Sequence, residues 1–198
     1  MSKRAGRVLQ LEKLSTEVSL SAGKAKQLKE ACVWILWFCR HANGVRLKLI
    51  QENETTFYVV RWREGTFDRE TLKRSYNADD AKQYGAEALA LLLALDKTEY
   101  DAVERAVTRT GIDYWLGFKD SNPNEPFHRA GRLEISGMIE SPGNQMSRRI
   151  KQKLKQTQAS DYTFPVYVIV VEFSQPYASM VRKETAVRKE TAQGVQRK

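Results

Sequence analysis

The sequence has few of the residues that build disulfide frameworks, zinc sites or membrane spans. Only two cysteines, Cys32 and Cys39, occur among its 198 residues. On one helix they would be about 10 Å apart, too far for a disulfide, and no CxxC pair indicates a structural zinc site. No apolar segment of the kind found in signal peptides follows the basic N-terminus, and the longest apolar stretches, 31–39 and 88–95, are too short to cross a bilayer. We therefore expect a cytoplasmic protein in a reducing compartment, without membrane contact.

Several catalytic signatures are also missing. His41 and His128 are the only histidines, and they lie in unrelated sequence contexts. The chain has no arrangement typical of a Ser–His–Asp triad, no GxxxxGK phosphate loop and no GxGxxG dinucleotide fingerprint. These absences argue against a triad hydrolase, a P-loop NTPase and a dinucleotide-dependent enzyme.

The composition nevertheless supports a packed core and a polyanionic partner. Hydrophobic residues make up 41% of the chain, which is enough for one ordinary domain with small additions. Lysine and arginine exceed aspartate and glutamate by nine, and this excess favours binding to a polyanion. The densest basic segment is RRIKQKLK at 148–155, with five cations and no acid.

Hydrophobic periodicity predicts an α+β fold with two parts and a tail. A packed helix is predicted at 22–42, followed by a hairpin of the strands 45–51 and 55–63. From residue 79 the predicted order is helix, three strands, basic helix and a buried strand at 163–173. The predicted units are an N-terminal module over 1–78, a core over 79–175 and a basic flexible tail over 176–198, and we expect Asp79 or Asp80 to cap the first core helix.

Three carboxylates lie in segments that are otherwise apolar. Glu87 is the one charged residue of GAEALALLLAL, and a buried carboxylate requires a cation or hydrogen-bond donors, unless it lies on the solvent edge of the helix. Asp113 in GIDYWLG and Glu134 in RLEISG lie on predicted neighbouring strands. If these strands pair, the two acids become neighbours, and a divalent cation would relieve their repulsion. The alternative is that both acids face solvent.

The order helix, three strands, helix and strand, with an acid on the first helix, the second strand and the third strand, resembles the PD-(D/E)XK nuclease superfamily. This resemblance covers about residues 80–174. It implies a restriction-endonuclease-like αβββαβ core with a mixed sheet between helices. It also implies that Asp113 and Glu134 hold Mg²⁺ or Mn²⁺, which promotes hydrolysis of a phosphodiester, and that Glu87 assists.

One position departs from the pattern of that family. Ser136 stands where the family has a lysine, two residues after the last acid, and serine cannot supply the positive charge. Some members of the family carry this cation on the following helix, where Arg148, Lys151, Lys153 and Lys155 are available. Lys151 and Lys155 share one helical face, and we expect Lys151 to take the catalytic role beside Ser136.

The basic helix supports two interpretations. Its cations could neutralise phosphates along a DNA groove, or they could form an ordinary solvated face above a buried stripe. The predicted DNA-binding residues are the five cations of this helix: Arg148, Arg149, Lys151, Lys153 and Lys155.

These observations predict a Mg²⁺-dependent endonuclease acting on DNA, of the kind that such families contribute to defence or mobile-element systems. The N-terminal module would serve dimerisation, docking of a protein partner or placement of DNA. Two alternatives remain open. The first is a catalytically inactive nuclease-fold subunit that binds nucleic acid or protein, which the serine at position 136 favours. The second is an α+β interaction protein, antitoxin-like or an immunity partner, in which the acids are structural.

Overall fold

The computed structural model describes residues 7–18, 20–119, 127–160 and 164–185, and these ranges form eight strands and five helices. The strands are β1 (Arg7–Gln10), β2 (Val45–Gln51), β3 (Glu54–Arg61), β4 (Ala102–Arg105), β5 (Tyr114–Lys119), β6 (Phe127–Met138), β7 (Val166–Glu172) and β8 (Tyr177–Lys183). The helices are α1 (Lys13–Thr16), α2 (Ala22–Phe38), α3 (Arg69–Ser75), α4 (Ala78–Lys97) and α5 (Gln145–Gln156), and a single 3-10 turn follows α5.

All eight strands belong to one mixed sheet in the order β1-β3-β2-β8-β7-β6-β5-β4. The strands β4, β5 and β6 form an antiparallel meander, and β7 is parallel to β6. The chain reaches β7 from β6 through α5, since two parallel neighbours need a crossover connection. The protein is therefore a mixed α/β fold built on a single sheet.

Helices cover the two faces of the sheet unequally. Helix α4 packs on one face of the sheet and α2 packs on α4, and the main core on this side contains Leu36, Leu47, Leu91 and Ile135. On the other face α5 lies over β6 and β7, and Met146 packs there with Val168 and Val170 of β7. The part of this second face formed by β1, β3 and β2 carries exposed side chains.

The sheet crosses the predicted boundary between the N-terminal module and the core. The segment predicted as the start of a flexible tail forms β8, which lies between β2 and β7 and joins the two parts. Burial of Ala178 and Met180 on one face of β8 explains why this segment is ordered. Of the predicted tail, residues 186–198 lie outside the described residues.

The structure adds one strand to the predicted N-terminal module and changes one predicted helix cap. Residues 7–10 form β1, because their backbone pairs in parallel with β3 and Leu9 is buried. Helix α4 is capped by Asn77, whose side-chain oxygen accepts a hydrogen bond of 2.8 Å from the Asp80 amide. Asp79 and Asp80 lie in the first turn instead, where their charges favour the positive end of the helix.

Across the described residues, no helix combines the length and the apolar character needed to span a bilayer.

Candidate active site

A fork between β5 and β6 brings two of the predicted acids together. The two strands pair from Tyr114 and Leu133, and Asp113 comes directly before β5. The Asp113 amide donates to the Leu133 carbonyl at 2.9 Å, and the Ile135 amide donates to Asp113 Oδ2, also at 2.9 Å. The carboxylate of Asp113 thus accepts a main-chain hydrogen bond of β6 where β5 no longer continues. This contact fixes Asp113 beside Glu134.

A glycine allows the segment before Asp113 to pack closely against α5. Gly111 has a φ of +73°, and a Cβ at this position would lie 2.1 Å from the Gln156 carbonyl oxygen at the end of α5. Only glycine combines this backbone conformation with this close approach. The loop before Asp113 therefore lies directly against the C-terminal end of α5, and this contact fixes α5 relative to the fork.

The Glu134 carboxylate lies between the Asp113 carboxylate and the Lys153 ammonium group. Glu134 is 5% exposed, and its Oε1 atom is 2.6 Å from Lys153 Nζ of α5. Burial raises the pKa of Glu134 to about 7, and the nearby charge of Asp113 adds to this effect, whereas Lys153 opposes it. One ammonium group therefore does not fully offset the cost of a buried charge beside a second carboxylate.

This arrangement fits a hard divalent cation. Asp113 and Glu134 offer carboxylate oxygens side by side, and Mg²⁺ is bound by one or two carboxylates together with waters and phosphate oxygens. A divalent charge would also offset the burial and the repulsion from Asp113 that together raise the pKa of Glu134. Nowhere in the described ranges do three or more His, Cys, Asp or Glu side chains gather in a potential metal site. A cation at the fork would thus take its remaining ligands from water and substrate.

Glu87 lies on the opposite face of the sheet in a different environment. Its residue is 3% exposed, and its carboxylate accepts hydrogen bonds from the Tyr114 hydroxyl, from Lys24 and from Arg105. The Lys24 and Arg105 nitrogens lie 3.1 and 3.2 Å from Glu87 Oε1. The sequence predicts that a buried Glu87 needs a cation or a hydrogen-bond donor, and the structure provides three such donors. The carboxylate is buried and does not face solvent.

Arg105 links the two sides of the sheet at this edge. One terminal nitrogen contacts Glu87, and the other lies 3.6 Å from Asp113 Oδ1. The guanidinium also lies 5.0 Å from the centre of the Tyr114 ring. The Arg105 guanidinium therefore connects the Glu87 and Asp113 carboxylates across the edge of the sheet.

The structure separates the cations of α5 by their orientation. Lys153 contacts Glu134, whereas Lys151, the residue expected in the catalytic role, is exposed together with Arg148 and Lys155. Arg149 is half-buried and donates to Gln152 at 3.3 Å. Ser136 is buried in β6 under the layer that contains α5.

Sequence reasoning did not single out Lys24, Arg105, Tyr114 or the pairing of Lys153 with Glu134. The helical period contains a signal for Lys153. Met146, Ile150 and Leu154 pack on the sheet, and on a wheel of 100° per residue Lys153 lies about 60° from the centre of this stripe, against about 100° for Lys151. No comparable signal identifies Arg105, because its contacts depend on strand register.

Comparison of the chain with known proteins gives no match to a family model, to a curated protein or to a solved structure.

Proposed function

We propose that the protein is a metal-dependent phosphodiesterase that acts on DNA, built on a restriction-endonuclease-like core. The order α4-β4-β5-β6-α5-β7 supports this core, with its antiparallel meander and its final parallel strand. The proposal depends above all on one observation. Asp113, Glu134 and Lys153 converge at the fork between β5 and β6, so two oxygen ligands and one cation lie at one point.

The residues at the fork have distinct roles in this proposal. Asp113 and Glu134 would hold Mg²⁺ or Mn²⁺, and the bound metal would supply Lewis-acid catalysis at the scissile phosphodiester. Lys153 takes the place of the lysine that is absent at Ser136. Its ammonium group, fixed by Glu134, donates hydrogen bonds toward the phosphate oxygens and stabilises the negative charge that develops on them.

The supporting residues orient this centre. Arg105 contacts Asp113 and is itself held by Glu87, so the side chain of Asp113 keeps one orientation. The exposed cations of α5 lie on the same helix as Lys153 and provide phosphate contacts next to the centre. These contacts favour a polyanionic substrate without specifying its base sequence.

A second candidate is a non-catalytic subunit of the same fold that binds nucleic acid in a complex. The 2.6 Å ion pair favours it, because Lys153 partly offsets the charge of Glu134 without any metal. In that case DNA would bind and remain uncleaved. A homodimer or a protein partner, and a place in a defence or mobile-element system, are compatible with both candidates.

A plasmid-nicking assay with Mg²⁺, Mn²⁺ or EDTA tests the proposal. Wild type should nick supercoiled DNA with either metal and not in EDTA, and Asp113→Asn should lose this activity. Asp79→Asn is a matched control, because Asp79 is an exposed acid of α4 whose partner is Lys82. If wild type binds the plasmid and leaves it intact with both metals, the second candidate is correct. Equal nicking by wild type and Asp113→Asn would exclude the fork as the active site.

A further inference from the structure

Within the described ranges, no helix covers the second face of the sheet at β1, β3 and β2, and we call this surface the open face. Arg46 and Lys48 of β2 point to it, as do Phe57 and Arg61 of β3 and Val8 of β1. The pairing register supports this assignment, because Lys48 lies opposite Phe57, while Arg46 and Val8 both lie opposite Val59. The alternate residues, among them Leu47 and Tyr58, are buried against the helices of the other face.

The open face is basic and partly apolar. Of the side chains that β1, β2 and β3 direct to it, three are cations and none is a carboxylate. Phe57 is 46% exposed and Val8 is 49% exposed, and both lie on this one face of neighbouring strands. The Arg46 guanidinium lies 4.8 Å from the centre of the Phe57 ring. Cationic groups therefore alternate with apolar surface across the three strands.

A groove of about 990 Å³ borders this surface, between Arg46, Lys48 and Phe57 on one side and the segments 140–142 and 174–177 on the other. Two acids line the groove. Glu172 is buried, and its Oε1 atom accepts hydrogen bonds from the Ser174 hydroxyl and the Gln175 amide. Glu140 is exposed at the far rim. An anion is consequently favoured on the β2 side of the groove and over the open face, away from Glu140.

We propose that the open face binds a single-stranded segment of nucleic acid outside the active site. Exposed phenylalanine and aliphatic side chains can pack against unpaired bases, whereas the bases of a duplex are stacked inside the helix. Arg46, Lys48 and Arg61 would neutralise the phosphates of the same segment. The choice of nucleic acid as the partner rests on the proposed function.

The position of the open face connects it to the fork. Both lie on the same face of the sheet, and three strand spacings of about 4.8 Å, or about 14 Å, separate β2 from β6. Along the strand direction, the pairing register places Lys48 level with Met138, four residues or about 13 Å from Glu134. Helix α5 lies on this face over β6 and β7, and its outward cations continue the basic surface. A single strand of several nucleotides could follow this path while another part of the substrate lies at the fork.

Fluorescence anisotropy with a labelled 20-nucleotide oligo-dT, in EDTA, tests this proposal independently of cleavage. The triple variant Arg46→Ala/Lys48→Ala/Arg61→Ala should bind at least tenfold more weakly and should have a shallower salt dependence, because fewer phosphates are neutralised. Phe57→Ala should weaken binding about fivefold or more through lost stacking. Lys73→Ala/Arg74→Ala, two exposed cations of α3, is the control and should bind like wild type.

Each other result contradicts the proposal. Wild type that does not bind oligo-dT, or a triple variant that binds as well as wild type, would exclude the open face as a single-strand site. Equal losses in the α3 control would indicate non-specific charge attraction. Loss of binding to a 20-base-pair duplex by the same factor would exclude the single-strand preference. Since Asp113→Asn should retain oligo-dT binding, failure of the nuclease proposal and failure of this one give different results.

Discussion

Glu87 and Glu134 are buried to a similar degree on opposite faces of one sheet, yet the charges around them differ. Glu87 receives hydrogen bonds from a tyrosine, a lysine and an arginine. Glu134 has one lysine and faces a second carboxylate, and its pKa is raised to about 7 because burial and Asp113 disfavour its charge. The first arrangement satisfies a buried charge within the protein. The second leaves negative charge that a divalent cation would neutralise.

This difference indicates where chemistry is expected. The Glu87 carboxylate already has three donors, so it stabilises the fold and holds its partners in place. A further positive charge would lower the free energy little at this position. Two carboxylates beside one ammonium gain from a further cation, since removing their repulsion lowers the free energy of the folded state. Burial alone therefore does not distinguish these two acids, whereas the charges around each acid do.

The largest expected effect separates two lysines of α5. Lys153→Met should reduce the nicking rate by about 10²–10³-fold, because its ammonium group is the one held at Glu134. Lys151→Met, an exposed residue two positions earlier, should change the rate by less than about threefold under saturating DNA. Initial rates of plasmid nicking in Mg²⁺ measure both. Equal losses would assign the two lysines to DNA binding alone.

A double variant sharpens the same comparison. In the proposed nuclease core Ser136 would occupy the position of the lysine, and it lies on the face of β6 that α5 covers. Lys153→Met/Ser136→Lys should recover part of the activity lost in Lys153→Met, because the charge returns to the fork from the strand. The nicking rate of the double variant decides this, with its circular dichroism spectrum as a check on folding. Activity no higher than that of Lys153→Met in a folded double variant would contradict the assigned role.

The two glutamates should respond oppositely to the loss of charge in EDTA. Glu87→Gln should lower the free energy of unfolding by about 2 kcal/mol, because Lys24 and Arg105 lose their anionic partner. Glu134→Gln should leave it unchanged or raise it, because the repulsion with Asp113 disappears. Urea unfolding at pH 7.5 measures both values. A larger destabilisation by Glu134→Gln than by Glu87→Gln would contradict the proposed difference between the two glutamates.

Stability without metal should depend on pH through Glu134. Its folded pKa of about 7 lies above the ordinary value of 4.5, so the protonated form is favoured in the folded state. The stabilisation that comes from this preference for the protonated form is fully present below about pH 4.5 and is lost as the pH rises through 7, on the order of 3 kcal/mol in total. Urea unfolding of wild type and Glu134→Gln between pH 5 and 8 measures the difference. Parallel curves for the two proteins would contradict this source of the pH dependence.

A smaller effect concerns metal and thermal stability. With free Mg²⁺ tenfold above its Kd, binding should stabilise wild type by about 1.4 kcal/mol, or about 3–6 °C in Tm. Glu87→Gln should keep this gain, whereas Asp113→Asn should lose it. Scanning calorimetry with and without metal tests the pair. A gain that persists in Asp113→Asn would place the cation elsewhere.

The sequence predicted the parts of this account that depend on local pattern. The meander, the crossover helix and the positions of Asp113 and Glu134 follow from hydrophobic periodicity, because each strand and helix buries one repeating set of residues. The partners of Glu87 did not follow, since Lys24 is 63 residues away and Arg105 is 18 residues away along the chain. Strand β8 was missed because its short alternation follows Pro176 and precedes a charged segment.

The choice between Lys151 and Lys153 shows what the sequence alone could not predict. Spacing of four residues identified lysines that share a helical face, but which face meets the sheet depends on how Met146 and its neighbours pack. Likewise, the alternation of β2 and β3 does not reveal which of their two faces is exposed, because that depends on where the described helices pack on the sheet.

Titration of Mn²⁺, followed by its electron paramagnetic resonance signal, tests the central claim most directly. We predict that wild type and Glu87→Gln bind Mn²⁺ at the fork with similar affinity, and that Asp113→Asn/Glu134→Gln does not bind it. The free Mn²⁺ signal would then decrease only with the first two proteins. Binding that survives in the double variant, or an absence of binding in wild type, would show that the paired carboxylates do not form a metal site.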